Sequence, residues 1–375
     1  MIENIHDVRA HDPFDHIKIL DHAARGPVRL ERPAHRDLQA VRMTVQPGAF
    51  PGMIWKNVGR LEAEVLADLH NFVLTGASLR AGWRGVRLSI RVNREELVVA
   101  AVTGDVAPML VNSGLYDVSF DGQPFIVPSV GGITPNVRIG SSAFAFMADH
   151  VEPGVSVKHP DTKTNTSLNV LACIGNEAIV SSGDAKGERG RVTGKHGGVE
   201  HVMVDFAPEV MRRMTIGDKI TIWSCGLGMR FVDLPGVKVF NMDPDLLHRM
   251  GIEIRGGRLF VHVARIVPAS VMGSGLGRTT VVRGDYDIQT FDDEMADTYG
   301  LRELRLGDIV AISDADNSHG RIYRTGAISI GVVVHGRSFM AGHGPGVTTL
   351  LTSSKGEIDV EVDERANLAT YFKVH

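Results

Sequence analysis

Residues 169–206, NVLACIGNEAIVSSGDAKGERGRVTGKHGGVEHVMVDF, alternate short apolar runs with clusters of glycine and polar residues. Segments 168–174, 178–182 and 199–206 have strand length and are bounded by turn residues, so they predict strands. Gly183, Gly187, Gly190, Gly194, Gly197 and Gly198 can take positive φ or let another group come close to the backbone. Polar side chains between them, Asp184, Lys186, His196 and His201, are then displayed on turns. The stretch reads as a site built on the rim of a β-structure.

Working outward, the same pattern continues. Val86, Leu88, Ile90 and Val92 alternate with polar residues, and 97–102 is a continuous apolar run. Further strands are expected at 218–223, 259–266, 279–283, 308–313, 328–335, 347–352 and 357–362. Helices are few. One amphipathic stripe runs through 59–74, and Asp243 with Pro244 supplies an N-cap and first position for a helix over 243–250. The fold class is α+β and predominantly β, an antiparallel barrel or sandwich-like body. It divides into an extension (1–85), a β-rich domain (86–240) and a second β-rich domain (241–375). Thr215-Ile-Gly-Asp and Arg305-Leu-Gly-Asp each feed an alternating strand and read as a shared turn type.

The chain has 375 residues, 43% apolar and 22% charged, with a formal charge of −4, which is ordinary for a globular protein and weighs against a dedicated nucleic-acid binder. Cys173 and Cys225 are the only cysteines, so a disulfide scaffold and a cysteine-rich zinc module are excluded. No apolar run is long enough to span a membrane, and a cytoplasmic protein is the expectation. Abundant strand edges predict a homo-oligomer.

A second polar stretch lies near the C-terminus: DADNSHGR at 314–321, then GVVVHGRSFMAGHGPG at 331–346. Asp316, His319, His335 and His343 stand among glycines at strand ends or turns, and Asp149 with His150 supplies the same donor types earlier in the chain. Imidazole and carboxylate groups gathered this way hold divalent ions (Zn, Mn or Mg), and a held ion makes bound water a nucleophile near neutral pH. No spacing matches a known metal signature. The five histidines at 6, 11, 16, 22 and 35 are irregularly spaced and read as a solvated arm. Met272–Arg278 is a glycine-rich loop that lacks both the P-loop ending and the third glycine of a dinucleotide fingerprint, so no nucleotide cofactor is expected.

DHVEPGVS from Asp149, GGIT at 131–134, the 169–202 stretch and GVVVHGRSFMAGHGPGVTTL occur in an order that resembles the DUF4438 family from about Val92 onward. That resemblance implies a shared fold and site and names no reaction. AIVSSGDAKG at 178–187 is similar to the acetamidase/formamidase pattern at Gly183 and Asp184. Lys186 stands where that family has histidine, and Glu188 precedes its glutamate position. The similarity implies β-sandwich-like architecture and C–N hydrolysis. Gly187, Gly190, Val192, Val202 and Val204 also have the spacing of a KOW-like module, in which Lys186, Arg189, Arg191, Lys195 and His196 would meet phosphates. Cys173, within an apolar run, reads as a core residue rather than a nucleophile.

Together these readings predict an enzyme acting on a small polar molecule, hydrolysing an amide-like C–N bond. Asp184, Lys186, His196, His335 and His343 are the candidate catalytic residues. Asn176, Arg337, Gly344 and Gly346 are the candidate substrate-binding residues. Asp149, His150, His335 and His343 are the candidate metal ligands. The alternative is a KOW-like RNA- or protein-binding module without catalysis.

Overall fold

The computed structural model describes residues 29–31, 42–44, 90–111 and 116–373. The chain divides into two units, 1–82 and 83–375. In the first, Arg29–Glu31 pairs antiparallel with Arg42–Thr44. The helix expected at 59–74, the histidines of the N-terminal arm and most of the strand at 86–92 lie outside the described residues.

The second unit is predominantly β. Seven strands build its first sheet: β1 (Ala100–Val106), β2 (Ile133–Thr134), β3 (Gly154–Lys158), β4 (Glu177–Val180), β5 (Arg189–His196), β6 (His201–Asp205) and β7 (Lys219–Ser224). The order β6-β5-β4-β7-β1-β3 closes on itself because β3 also pairs with β6, Val202 opposite Val157. The result is a six-stranded antiparallel barrel, with β2 added beside β3. Val155, Val157, Val180, Val192, Val202, Val204, Ile220 and Ile222 fill it and are all fully buried. Closure leaves the barrel without free edges.

The run 97–102 is not buried throughout. Val98 and Val99 are exposed, and the strand begins only at Ala100. A larger correction concerns 168–174, expected as a strand. Thr162–Leu171 is helix α1, and only the residues after it are extended. Asp161 caps the helix by accepting from Thr164 N at 2.8 Å. The Asn165 and Asn169 amides hook it to the Glu200 carbonyl at 3.0 and 2.8 Å. Capping and two buried amide bonds outweigh the β-propensity of its threonines.

The second sheet contains β8 (Lys238–Val239), β9 (Arg265–Pro268), β10 (Tyr286–Asp287), β11 (Ile309–Asp316), β12 (Ile322–Val333) and β13 (Gly346–Ser353). The order is β8-β13-β12-β11-β9, and β10 pairs with β13. No strand forms at 279–283. A three-stranded sheet of Glu253–Arg255, Arg258–Val263 and Ile358–Val362 completes the body. Helix α2 (Pro244–Arg249) begins as expected, with the Asp243 carboxylate accepting from Asp245 N. One core runs through both halves, joining Ile174 and Met203 to Val261, Ile309, Ile330 and Leu350. Where β5 leaves the barrel, Thr348 Oγ1 of β13 donates to the Lys195 carbonyl at 3.0 Å. That contact sets the ends of β5, β10 and β13 side by side.

Candidate metal centre

Four imidazoles and two carboxylates converge where those strand ends meet. Asp285 and Asp287 stand two apart on or beside β10, so their side chains share one face while Tyr286 turns to the other and bonds Asn317. His335 follows β12, His343 lies in the loop before β13, His196 ends β5, and His150 precedes β3. Two groups of donor atoms result, His150/Asp287/His343 and His196/Asp285/His335.

In the first group the donors form a tight triangle. His150 Nε2 and His343 Nδ1 are 3.0 Å apart, His343 Nδ1 is 3.0 Å from Asp287 Oδ2, and His150 Nε2 is 3.5 Å from the same oxygen. The second group is fully buried. Its His335 Nε2 lies 2.7 Å from Asp285 Oδ2, yet neither atom has a hydrogen-bond partner. His335 Nδ1 donates to the Gly336 carbonyl at 2.9 Å, which turns Nε2 toward Asp285 Oδ2. Two buried polar atoms that face each other without a hydrogen bond are costly unless a proton or a metal cation lies between them.

Outer partners fix the rings. His150 Nδ1 donates to Asp149 Oδ2 at 2.7 Å, and His196 Nδ1 donates to Glu152 Oε1 at 2.5 Å. Each therefore presents Nε2 inward, the carboxylate–histidine pattern common behind metal ligands. Asp149 is held in turn by Ser338 Oγ and Phe339 N, both at 2.8 Å. Glu152 also accepts from Gly131 N at 2.8 Å, from His201 and from Ser156. Gly197 N donates to Asp285 Oδ1 at 2.7 Å. This requires two backbones to cross closely: a Cβ on Gly284 would lie 2.6 Å from Gly197 Cα. At Gly346 a Cβ would meet Asp285 Oδ2 at 1.9 Å and His335 Nε2 at 2.1 Å, so only glycine leaves room for the donors.

The electrostatics follow this wiring. Burial opposes charge on Asp285 and Asp287, but the surrounding imidazoles outweigh it and hold both carboxyls below their usual range. Burial likewise opposes charge on His150, and Asp149 with Asp287 overcome it, pushing the imidazole up to about 10. Glu152 is fully buried and still held well below its usual value by His201 and His196. Behind the acidic strand, buried Arg321 donates to the carbonyls of Gly275 and Asp285 and stacks over Tyr286 at 4.9 Å. It fixes the backbone that carries both aspartates.

Of the residues expected to act, His150, His196, His335 and His343 meet here. Asp149 adjoins them as the anchor of His150, since its oxygens are taken by His150, Ser338 and Phe339. Gly344 supports the centre by donating N–H to Asp287 Oδ2 at 3.2 Å, and Gly346 by leaving it space. Asp184 and Lys186 do not reach it. They sit exposed on the β4–β5 turn, at the opposite end of β5 from His196, on the order of 20 Å away for a strand of that length. Asn176 is fully buried and its amide is saturated by Cys173 N, Cys225 O and Asp243, which makes it a loop clamp. The Arg337 guanidinium lies over the Phe339 ring at 4.6 Å, with Nε buried and unpaired. Asp316 and His319 stand apart, bonded to Arg324 and Lys238.

Three contributors were missed: Glu152, Asp285 and Asp287. The last two carried a readable signal, because Gly284-Asp-Tyr-Asp287 places two carboxylates at strand period behind a glycine. Cys173 is buried and its thiol is pushed up to about 11 by that burial, so it is no thiolate nucleophile. Lys195 and His196 are both buried and cannot meet a phosphate backbone as a KOW-like surface requires. Lys195 Nζ instead donates to Asn241 Oδ1 and Val282 O at 2.8 and 2.9 Å.

Among the described residues, no helix is long and apolar enough to cross a membrane. No curated protein matches the chain. A solved structure, described as the crystal structure of TM1086, is 47% identical, covering 75% of this chain and 98% of that one with a TM-score of 0.71. Residues 116–248 match the N-terminal part, and 249–372 the C-terminal part, of the family described as Domain of unknown function (DUF4438). The chain belongs to the DUF4438 family.

Proposed function

We propose that the chain is a metal-dependent hydrolase of a small polar molecule, cleaving an amide-like C–N bond at the His/Asp cluster. The observation that carries this reading is the opposed, unpartnered pair His335 Nε2 and Asp285 Oδ2, buried and 2.7 Å apart. The imidazole donors suit zinc or iron, and the aspartates beside them also suit manganese. An ion held there by His150, Asp287 and His343 would lower the pKa of a water toward neutrality and polarise a carbonyl oxygen. That water would give its hydroxyl to the carbonyl carbon and its remaining proton to the nitrogen as the C–N bond breaks. His343 is the cluster's most accessible ligand, its side chain 31% exposed, and marks the side from which substrate enters.

The test is a panel of small linear and cyclic amides incubated with protein reconstituted in zinc or manganese, with released amine as the readout. Turnover is expected to disappear with chelator, to return with metal, and to be lost in His343→Ala. Cleavage that survives full chelation, or a loaded protein that cleaves no C–N bond, would overturn the reading.

A further inference from the structure

Resting on the metal-centre reading, we infer that the cluster holds two ions of unequal character, bridged by Asp287. The outer ion sits among His150, Asp287 and His343. Edges of 3.0, 3.0 and 3.5 Å match the ligand–ligand separation of about 3.3 Å in a tetrahedron with bonds near 2.0 Å. Three protein donors leave its fourth position to water or substrate, the pattern of a catalytic ion. The inner ion sits among His196, Asp285 and His335, whose donor atoms lie within 4.8 Å of one another. The His196 and His335 rings stack at 4.2 Å and 23°, and all three residues are buried.

Asp287 links the two positions. Its Oδ2 belongs to the outer triangle, while its Oδ1 lies 3.7 Å from His335 Nε2 in the inner group. A carboxylate that turns one oxygen to each group is placed to bridge a pair of ions, and such pairs stand roughly 3.5–4 Å apart. The His150 and His196 ring centroids are 5.8 Å apart, and each ring is anchored by its own carboxylate. The inner position has no exposed donor and serves to fix the bridge. The outer position exchanges with solvent and meets the substrate.

The experiment is metal analysis together with electron paramagnetic resonance of manganese-loaded protein, comparing wild type with His343→Ala, whose partly exposed site tolerates the change. Wild type is expected to bind two equivalents and to show the exchange-coupled spectrum of a bridged pair. His343→Ala is expected to retain one equivalent with the spectrum of an isolated ion. Graded chelation of wild type should remove the outer ion before the inner one. One equivalent with an isolated spectrum in wild type would overturn the two-ion inference while leaving a metal centre. Two ions released together would overturn their inequivalence. No binding at any metal concentration would overturn both readings. Circular dichroism melts on each protein separate lost ligation from lost folding.

Discussion

The two ends of strand β5 differ in every respect that matters for chemistry. At one end Asp184 and Lys186 ride a glycine turn, exposed to solvent. At the other, Lys195 and His196 are buried where the barrel meets the second sheet. Both ends are rich in glycine and polar residues, so composition alone does not separate them. At the far end, glycine serves the turn. At the near end it lets two backbones cross, so that Gly197 N–H reaches Asp285. A site forms where a strand leaves its own core and meets another, because only there do side chains from distant segments converge.

The largest expected effect sharpens this contrast by placing stability, without ligation, toward the turn end. Arg138 and Asp205, which sits opposite Arg191 on the neighbouring strand, form a two-pronged pair with distances of 3.0 and 2.6 Å. Arg138→Met leaves a buried carboxylate unpaired and should destabilise by about 3–5 kcal/mol at neutral pH, with metal content unchanged. Burial raises the Asp205 carboxyl above its ordinary value, and Arg138 draws it back. A carboxyl raised in the folded state contributes stability at low pH and loses it as pH rises through the folded value. Without Arg138 it rises further, so the deficit of the variant should shrink as pH falls toward about 4. Urea melts at several pH values check this.

Next is Gly346→Ala at the site end, where the new methyl meets both orphaned donors. It should cost about 1–3 kcal/mol by overpacking and abolish metal uptake, read by thermal melt and metal analysis. Uptake at wild-type levels would break the comparison. Glu152→Gln keeps the shape and removes the charge behind His196, so metal affinity should fall roughly 10- to 100-fold. Competition with a chromophoric chelator measures it. The smallest effect is expected from Asp184→Ala combined with Lys186→Ala: stability within about 0.5 kcal/mol and ligation unchanged. A marked loss of activity there would mean that the turn end reaches the chemistry after all.

Much of the fold was legible in local pattern. Alternation located most strands, and Asp243-Pro244 fixed the start of α2. The two Gly-Asp turns proved equivalent: Asp218 accepts from Thr215 N, and Asp308 from Arg305 N, each at 2.8 Å. Helix α1 was hidden because its defining bonds reach Glu200, about 30 residues away, and an apolar run does not reveal them. In the site, the histidines stood out among glycines. The aspartates carried only the weak signal of strand-period spacing, because their partners arise from the pairing of β10 with β13, Asp287 opposite Gly346.

Each triad draws one imidazole from residues 116–248 and two donors from residues 249–372. Neither half of the chain therefore holds a complete triad by itself. If the proposed ions bind, their capture and the joining of the two halves become one thermodynamic event: a fragment ending near residue 248 should bind metal far more weakly than the intact protein, which should melt later in its presence. On the same condition, the supply of metal would set how long this protein survives in a cell.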